Sequence, residues 1–215
     1  MSDLFIRWRN ARPEYDQFNE DGIVNKECWK NIETSKKLLF ILKETDELEG
    51  SLADFLKNGG NSNYYRTWNN IARWTEIIMS GIYLDKVSCQ QLHDSLQKIA
   101  AINIKKQAGS ARSKRKVIFE AADKDREFMQ EEIREINPEI IITCGFNLVS
   151  DCLHDHIFSE PQNNWITDKE TGLCYYSSNL IRENNKTLVV SMPHPNRAKK
   201  EYTLQLKSLI QRIQI

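Results

Sequence analysis

The sequence lacks closely spaced cysteine pairs, long apolar runs, net charge and the glycine-rich signatures of ordinary nucleotide binding. Its five cysteines, Cys28, Cys89, Cys144, Cys152 and Cys174, form no CxxC or CxxxC pair. Zinc and iron–sulfur sites built on close soft ligands are therefore not expected. Free cysteines in apolar surroundings, such as Cys144 and Cys152, behave as small hydrophobes. No stretch approaches the length of a membrane span, and no N-terminal signal pattern is seen, so a reducing cytoplasm is expected and no membrane association. Thirty basic and thirty acidic residues cancel. A phosphate or nucleic-acid site must then arise from local segregation of charge. Neither GxxxxGK[ST] nor GxGxxG occurs, and there is no internal repeat or low-complexity tract.

What is present is an alternation. "KLLFILKETDE", "AAINI", "EIIITCG" and "TLVVSMPHP" are apolar runs of strand length. Continuous runs of this kind suit strands buried on both faces. Between them lie amphipathic stretches. "WNNIARWTEIIMSG" spaces Trp68, Ile71 and Ile78 as a helix does, which places Trp68 in the core. "SCQQLHDSLQKI" opens with Ser88 and Gln91 in a capping-box arrangement. One helix is expected from Val117, with Ile118, Ala122, Met129, Ile133 and Ile136 on one face, ending at Asn137-Pro138. "LCYYSSN" reads as a strand or hairpin arm, and "HDH" (154–156) as a surface turn. Leu206, Leu209, Ile210 and Ile213 form the stripe of a last helix. The expected fold is a single-domain, three-layer α/β/α arrangement around a central four-stranded parallel sheet. Residues 1–36, with scattered aromatics, read as a cover segment for the domain formed by residues 37–215.

In open α/β sheets, ligands bind beyond the carboxyl ends of the strands. Those ends deliver Lys43, Glu44, Thr45, Asp46 and Glu47 from the first strand and Asn103 and Lys105 from the second. The third delivers Cys144 and Gly145, and the last His194. A carboxylate there can orient a water or stabilise a developing cation, as cleavage of a glycosyl bond requires. An amide closing an apolar strand must be satisfied, either by neighbouring backbone or by the complementary edge of a base. His194 lies between two prolines that fix its direction, and a neutral imidazole there donates to an oxygen gaining negative charge. After Asn103 comes a loop, residues 105–116, with six Lys or Arg and no acid. Such a loop serves either as a solvated connection or as a seat for a phosphate backbone. Tyr64 or Tyr65 is positioned to stack on an unpaired base.

The segment "INIKKQAGSARSKRKVIFEAADKDREFMQEEIREINPEIIITCG" resembles the central stretch of the uracil-DNA glycosylase superfamily, and "SMPHPNRA" resembles its last motif. With "LLFILKE" as first strand, the resemblance runs from about Leu38 to Ala198 and rests on ordering and spacing more than identity. It implies a monofunctional DNA glycosylase that flips and excises a uracil, damaged or modified base. Asn103 would read the base, Tyr64 or Tyr65 would stack on it, and His194 would stabilise its departing oxygen. Glu44 or Asp46 would assist at the sugar. Asn196 and Arg197 would lie in the loop that enters DNA, and Lys43, Lys105, Lys106, Arg112, Lys114 and Arg115 would contact phosphates. The resemblance implies no metal or diffusible cofactor, a DNA partner and a monomer. Lys43 and Asp46 stand where the family usually has Gly and Pro, a departure from its first motif that leaves both the catalytic residue and the base open. Two rival readings are a catalytically silent nucleic-acid-binding relative and an unrelated α/β enzyme acting on a small phosphorylated ligand.

Overall fold

The computed structural model describes residues 2–45, 48, 50–60, 65–109, 113–159, 164–182 and 185–213, without the side chains of Ser2 and Tyr65. Among them are seven strands in one mixed sheet: β1 (Gly22–Ile23), β2 (Leu38–Leu42), β3 (Ile99–Asn103), β4 (Ile140–Cys144), β5 (Ile166–Thr167), β6 (Cys174–Ser178) and β7 (Thr187–Met192). Their order across the sheet is β1-β3-β2-β4-β7-β6-β5. The expected sheet of four parallel strands is thus too small. β3, β2, β4 and β7 do pair in parallel, but β1 extends one side and β6-β5 the other, all antiparallel. The two-residue β1 and β5 are too short to carry a period-2 pattern, so neither is visible as an alternation.

Every residue of β2, β3, β4 and β7 is buried, because helices cover both faces. Leu38, Phe40 and Leu42 point to one side, onto Trp68, Ile71 and Trp74 of helix α4 (Tyr65–Ser80) and Leu206 and Leu209 of α9 (Lys200–Ile213). Between β2 and α4 lies α3 (Leu52–Lys57), and before β3 lies α5 (Cys89–Leu96), which has the Ser88–Gln91 capping box. Leu39 and Ile41 point to the other side, with Phe5 and Trp8 of α1 (Ser2–Ala11) and Met129 and Ile133 of α7 (Arg126–Ile136). Each such side chain contributes roughly 1.5–3 kcal/mol by leaving water.

The single helix expected from Val117 is two, α6 (Arg115–Lys124) and α7. They break at Asp125, whose carboxylate is fully buried and accepts from Arg12 Nε at 2.7 Å and Tyr15 Oη at 2.6 Å. Satisfying a buried carboxylate outweighs continuing a helix. "HDH" is likewise no surface turn: it lies within a π-helical run, Cys152–Phe158, that continues α8 (Val149–Asp151). There His156 Nδ1 meets Asp123 Oδ1 at 2.7 Å.

The N-terminal segment does more than cover the sheet. β1 pairs with β3, α2 (Lys26–Asn31) follows it, and Trp8 stacks on Phe128 with ring centroids 5.2 Å apart. Asp21, just before β1, accepts the Asn103 backbone N–H at 2.7 Å and Lys106 Nζ at 2.5 Å. Lys106 also donates to Glu132 Oε2 at 2.7 Å and lies 5.0 Å from the centroid of the Trp8 ring. Its side chain is 0% exposed. Lys106 is therefore a buried, paired cation, not the exposed one that a phosphate contact would need. Burial works against its ammonium, but Asp21 and Glu132 outweigh it, and its pKa ends above the usual value. Burial and the nearby Asp21 charge push the Glu132 carboxyl well above the usual carboxylate range.

Breaking a buried ion cluster leaves uncompensated charge. Lys106→Ala is expected to lower unfolding free energy by about 3–5 kcal/mol, measured by urea denaturation. Truncation of the exposed Lys116 should change it by less than about 0.5 kcal/mol.

Candidate functional site

The chain leaves β2 toward the face bearing α3 and α4, and leaves β4 toward the face bearing α8 and the π-helical run. Adjacent parallel strands whose connections depart to opposite faces leave a crevice between their carboxyl ends, which is where such sheets bind ligands. Here it lies between Lys43-Glu44 and Gly145-Phe146. The register puts Asn103 level with Leu42, and Cys144 level with Met192. Asn103 and the end of β7 thus flank the crevice about three strand spacings apart, roughly 14 Å.

Asn103 is 1% exposed, and its Nδ2 has no hydrogen-bond partner among the described residues. Its backbone N–H is held by Asp21, which fixes the end of β3 from which the amide projects. A buried donor left unpaired costs about 1–3 kcal/mol. It is the kind of group that an acceptor on a ligand would satisfy.

His194, partly buried, opens a one-turn 3₁₀ helix (Pro195–Arg197), and its Nδ1 accepts from Asn196 N–H at 3.2 Å. In the neutral ring the proton then resides on Nε2. Burial, followed by the charges of Lys43 and Arg197, holds its pKa below the ordinary 6.5. The turn is fixed from beneath: buried Asn70 of α4 donates Nδ2 to Pro195 O at 2.7 Å and accepts from Arg73 Nη1 at 3.0 Å. A chain of buried hydroxyls, Thr143 to Ser150 at 2.7 Å and Ser150 to Ser191 at 2.6 Å, ties β4, α8 and β7 together below the rim.

Glu44 is not the open carboxylate that the sequence reading expects. Its side chain is 1% exposed, accepting from Lys43 Nζ at 2.9 Å and Lys105 Nζ at 3.3 Å. The backbone of Gly109 lies directly over it, so close that a Cβ at 109 would overlap the carboxylate. Gly109 N–H also donates to Thr45 O at 2.8 Å, and Lys105 N–H to Lys43 O at 2.9 Å. The two rim loops are zipped together around Glu44. With its amide oriented to satisfy both ends, buried Asn19 completes the zip, donating to Leu48 O and Gly50 O and accepting from Ala108 N and Thr45 Oγ1.

The basic loop is divided. Lys105 and Lys106 turn inward to carboxylates, whereas Lys114, Arg115 and Lys116 at the start of α6 are exposed. Arg115 pairs with Asp151 and lies 4.7 Å from the Phe119 ring centroid. Asn196 and Arg197 are exposed on the turn beside His194. Asp46, Tyr64 and Arg112 lie outside the described residues, as does the side chain of Tyr65, whose backbone opens α4. Burial pushes the Cys144 thiol far up, which makes it an inert core group. Among the described residues, no cluster of His, Cys, Asp and Glu is arranged to hold a metal ion, and no helix is long and apolar enough to cross a membrane.

The sequence reading missed Asn19, Asp21, Asn70 and the covering role of Gly109. Asn70 had a signal, since "WNN" puts two poor helix formers inside an otherwise apolar helix face. The chain matches no family model, and no curated protein matches it.

Gly109→Ala is expected to destabilise the fold by about 1–3 kcal/mol, the usual range for overpacking. Part of that loss should return in the Glu44→Ala/Gly109→Ala double variant, where the overlapped carboxylate is gone. A double-mutant cycle by thermal denaturation reads this coupling, and strict additivity would show that the two residues do not press on each other.

Proposed function

We propose that the chain is a DNA glycosylase that accepts a flipped uracil, damaged or modified base at the crevice and hydrolyses its N-glycosidic bond. The observation that carries this reading is the buried, unpaired Nδ2 of Asn103 at the rim. An N–H donor held there suits a carbonyl or ring acceptor on a base edge. His194 stands across the crevice with Nε2–H as its donor, suited to a base oxygen that gains charge. As the C1′–N bond lengthens, its electron pair moves onto the base and is spread to that oxygen. Water then adds to the electron-poor C1′ and gives up a proton to solvent, and the departed base takes one up to end neutral. Flipping costs a few kcal/mol of unstacking, offset by phosphate contacts from Lys114, Arg115 and Arg197. The similarity of "INIKK" through "IITCG" and of "SMPHP" to uracil-DNA glycosylase motifs adds to this reading. In the closed loop cluster Glu44 holds Lys43 and Lys105 in place, and it would assist the cationic sugar only after Gly109 lifts away.

That same enclosure favours a second reading, a catalytically silent nucleic-acid-binding relative. A carboxylate neutralised by two lysines and shielded from water does not activate a nucleophile.

One assay separates them. Labelled single- and double-stranded oligonucleotides carrying uracil, hypoxanthine, xanthine or 5-substituted pyrimidines are incubated with the protein, then cleaved by alkali at abasic sites. Release of a base, slowed about 10²–10³-fold by Asn103→Ala or His194→Ala, is the expected result. Binding without release supports the silent relative, and absence of DNA binding removes both readings.

The pH dependence has a definite sign. Protonating His194 makes Nδ1 a donor facing the Asn196 N–H, so the turn loses its hydrogen bond. Because the folded pKa is depressed, the unfolded chain takes up this proton more readily. The His194 contribution to stability is therefore fully present above 6.5 and lost as pH falls through the lower folded value. Excision should fall over the same range. NMR titration of the His194 ring is expected to give a midpoint below 6.5, and a midpoint above it would contradict the neutral-imidazole mechanism.

A further inference from the structure

We infer that Phe146 is a stacking platform for an unpaired base adjacent to the excised one; this rests on the nucleic-acid reading above. Among the described residues, the exposed large apolar side chains are Ile6, Ile82, Val117, Phe146, Ile166, Leu180 and Leu204, and Phe146 alone is aromatic. Apolar residues scattered singly on a surface need no explanation. Phe146 differs in its location, at the carboxyl end of β4 on the lip of the crevice, and in its mounting. It is 39% exposed and lies against the Tyr202 ring with centroids 5.7 Å apart. Tyr202 belongs to the first turn of α9, the helix that follows the His194 turn directly.

The backbone holding Phe146 is firmly fixed. Gly145 N–H donates to Met192 O at 2.9 Å, which ties this loop to the end of β7, and Gly145 O accepts from Val149 N–H at 3.1 Å. Asn147 has a left-handed backbone, φ 57°, which turns the chain back into α8 and leaves Phe146 at the apex. An aromatic already in contact with a neighbouring ring, here tilted by 59°, and partly open to water offers surface that a base can cover. Every base has a π-face, so this contact is tolerant of sequence. It also supplies an aromatic to the rim from β4, independently of Tyr64 and Tyr65. The exposed cations Arg197, Lys199 and Lys200 lie between the His194 turn and the start of α9, the helix that carries Tyr202, and could meet the phosphates that flank a stacked base.

The test is the affinity of a fluorescently labelled, mixed-sequence single-stranded oligonucleotide across a salt series. It compares the wild type with Phe146→Ala, Phe146→Trp and, as a distant control, Ile6→Ala. Stacking predicts that Phe146→Ala weakens binding about 5- to 150-fold. Phe146→Trp should retain affinity and Ile6→Ala should leave it unchanged. Because stacking releases no counterions, the slope of log affinity against log salt should stay the same in Phe146→Ala. Unchanged affinity in Phe146→Ala, with the wild type binding, overturns the stacking role and leaves the nucleic-acid reading intact. A loss accompanied by a shallower salt slope overturns it too, since the defect would then be in phosphate contacts. A wild type that binds no oligonucleotide removes both.

Discussion

The carboxylate of Asp21 is the interaction on which the rest of the rim depends. One oxygen accepts the backbone N–H of Asn103 at the end of β3; the other accepts from the ammonium of Lys106, three residues past that end. β3 would otherwise be an edge of the parallel sheet, with its donors facing outward. Asp21 and β1 satisfy those donors, and the bond to Lys106 draws the start of the basic loop beneath the α1–α7 layer. A fully buried ammonium needs two carboxylates around it, and a buried carboxylate pair needs the ammonium, so removing any member exposes the others to desolvation without compensation. The N-terminal segment is in this way part of the frame that fixes Asn103.

Above that frame the rim is stabilised by satisfied polar groups more than by apolar packing. Glu44 joins the loops after β2 and β3 through two lysines, and Asn19 and Gly109 complete the junction with main-chain contacts. On the far side, Asn70 and Arg73 support the His194 turn from α4, and the hydroxyl chain of Thr143, Ser150 and Ser191 joins β4 to β7. Both sides of the crevice are thus tied by hydrogen bonds or ion pairs between separate elements. Among the described residues, the Asn103 amide nitrogen at this rim is left unpaired. Groups held in place before a ligand enters lose little freedom on meeting it.

Much of the architecture was legible in the chain. The apolar runs at Leu38, Ala100, Ile140 and Leu188 are so short and so uninterrupted that only strands covered on both faces accommodate them, and each is a buried parallel strand. The Ser88 cap and the α4 stripe were legible for the same reason: they depend on contacts within one turn or one face of a helix. Of the antiparallel additions, β6 was read as a strand or hairpin arm, whereas β1 and β5 were not legible, because two-residue strands have no period. Nor was the break at Asp125, since its cause is Arg12 and Tyr15, more than a hundred residues away.

The site divides along the same line. Sequence by itself determined which residues reach the carboxyl ends of the strands, because strand ends follow from where apolar runs stop. Asn103, Glu44 and His194 were identified in that way. Tertiary structure alone decided their states. Whether Glu44 is open or enclosed depends on Gly109, sixty-five positions later, approaching closely enough to touch it. Whether Lys106 faces solvent depends on two carboxylates from separate elements. A charge has the same letter in the sequence wherever it is placed. Its role is fixed by how much water and how much opposite charge surround it, and those come only from the packing of distant segments.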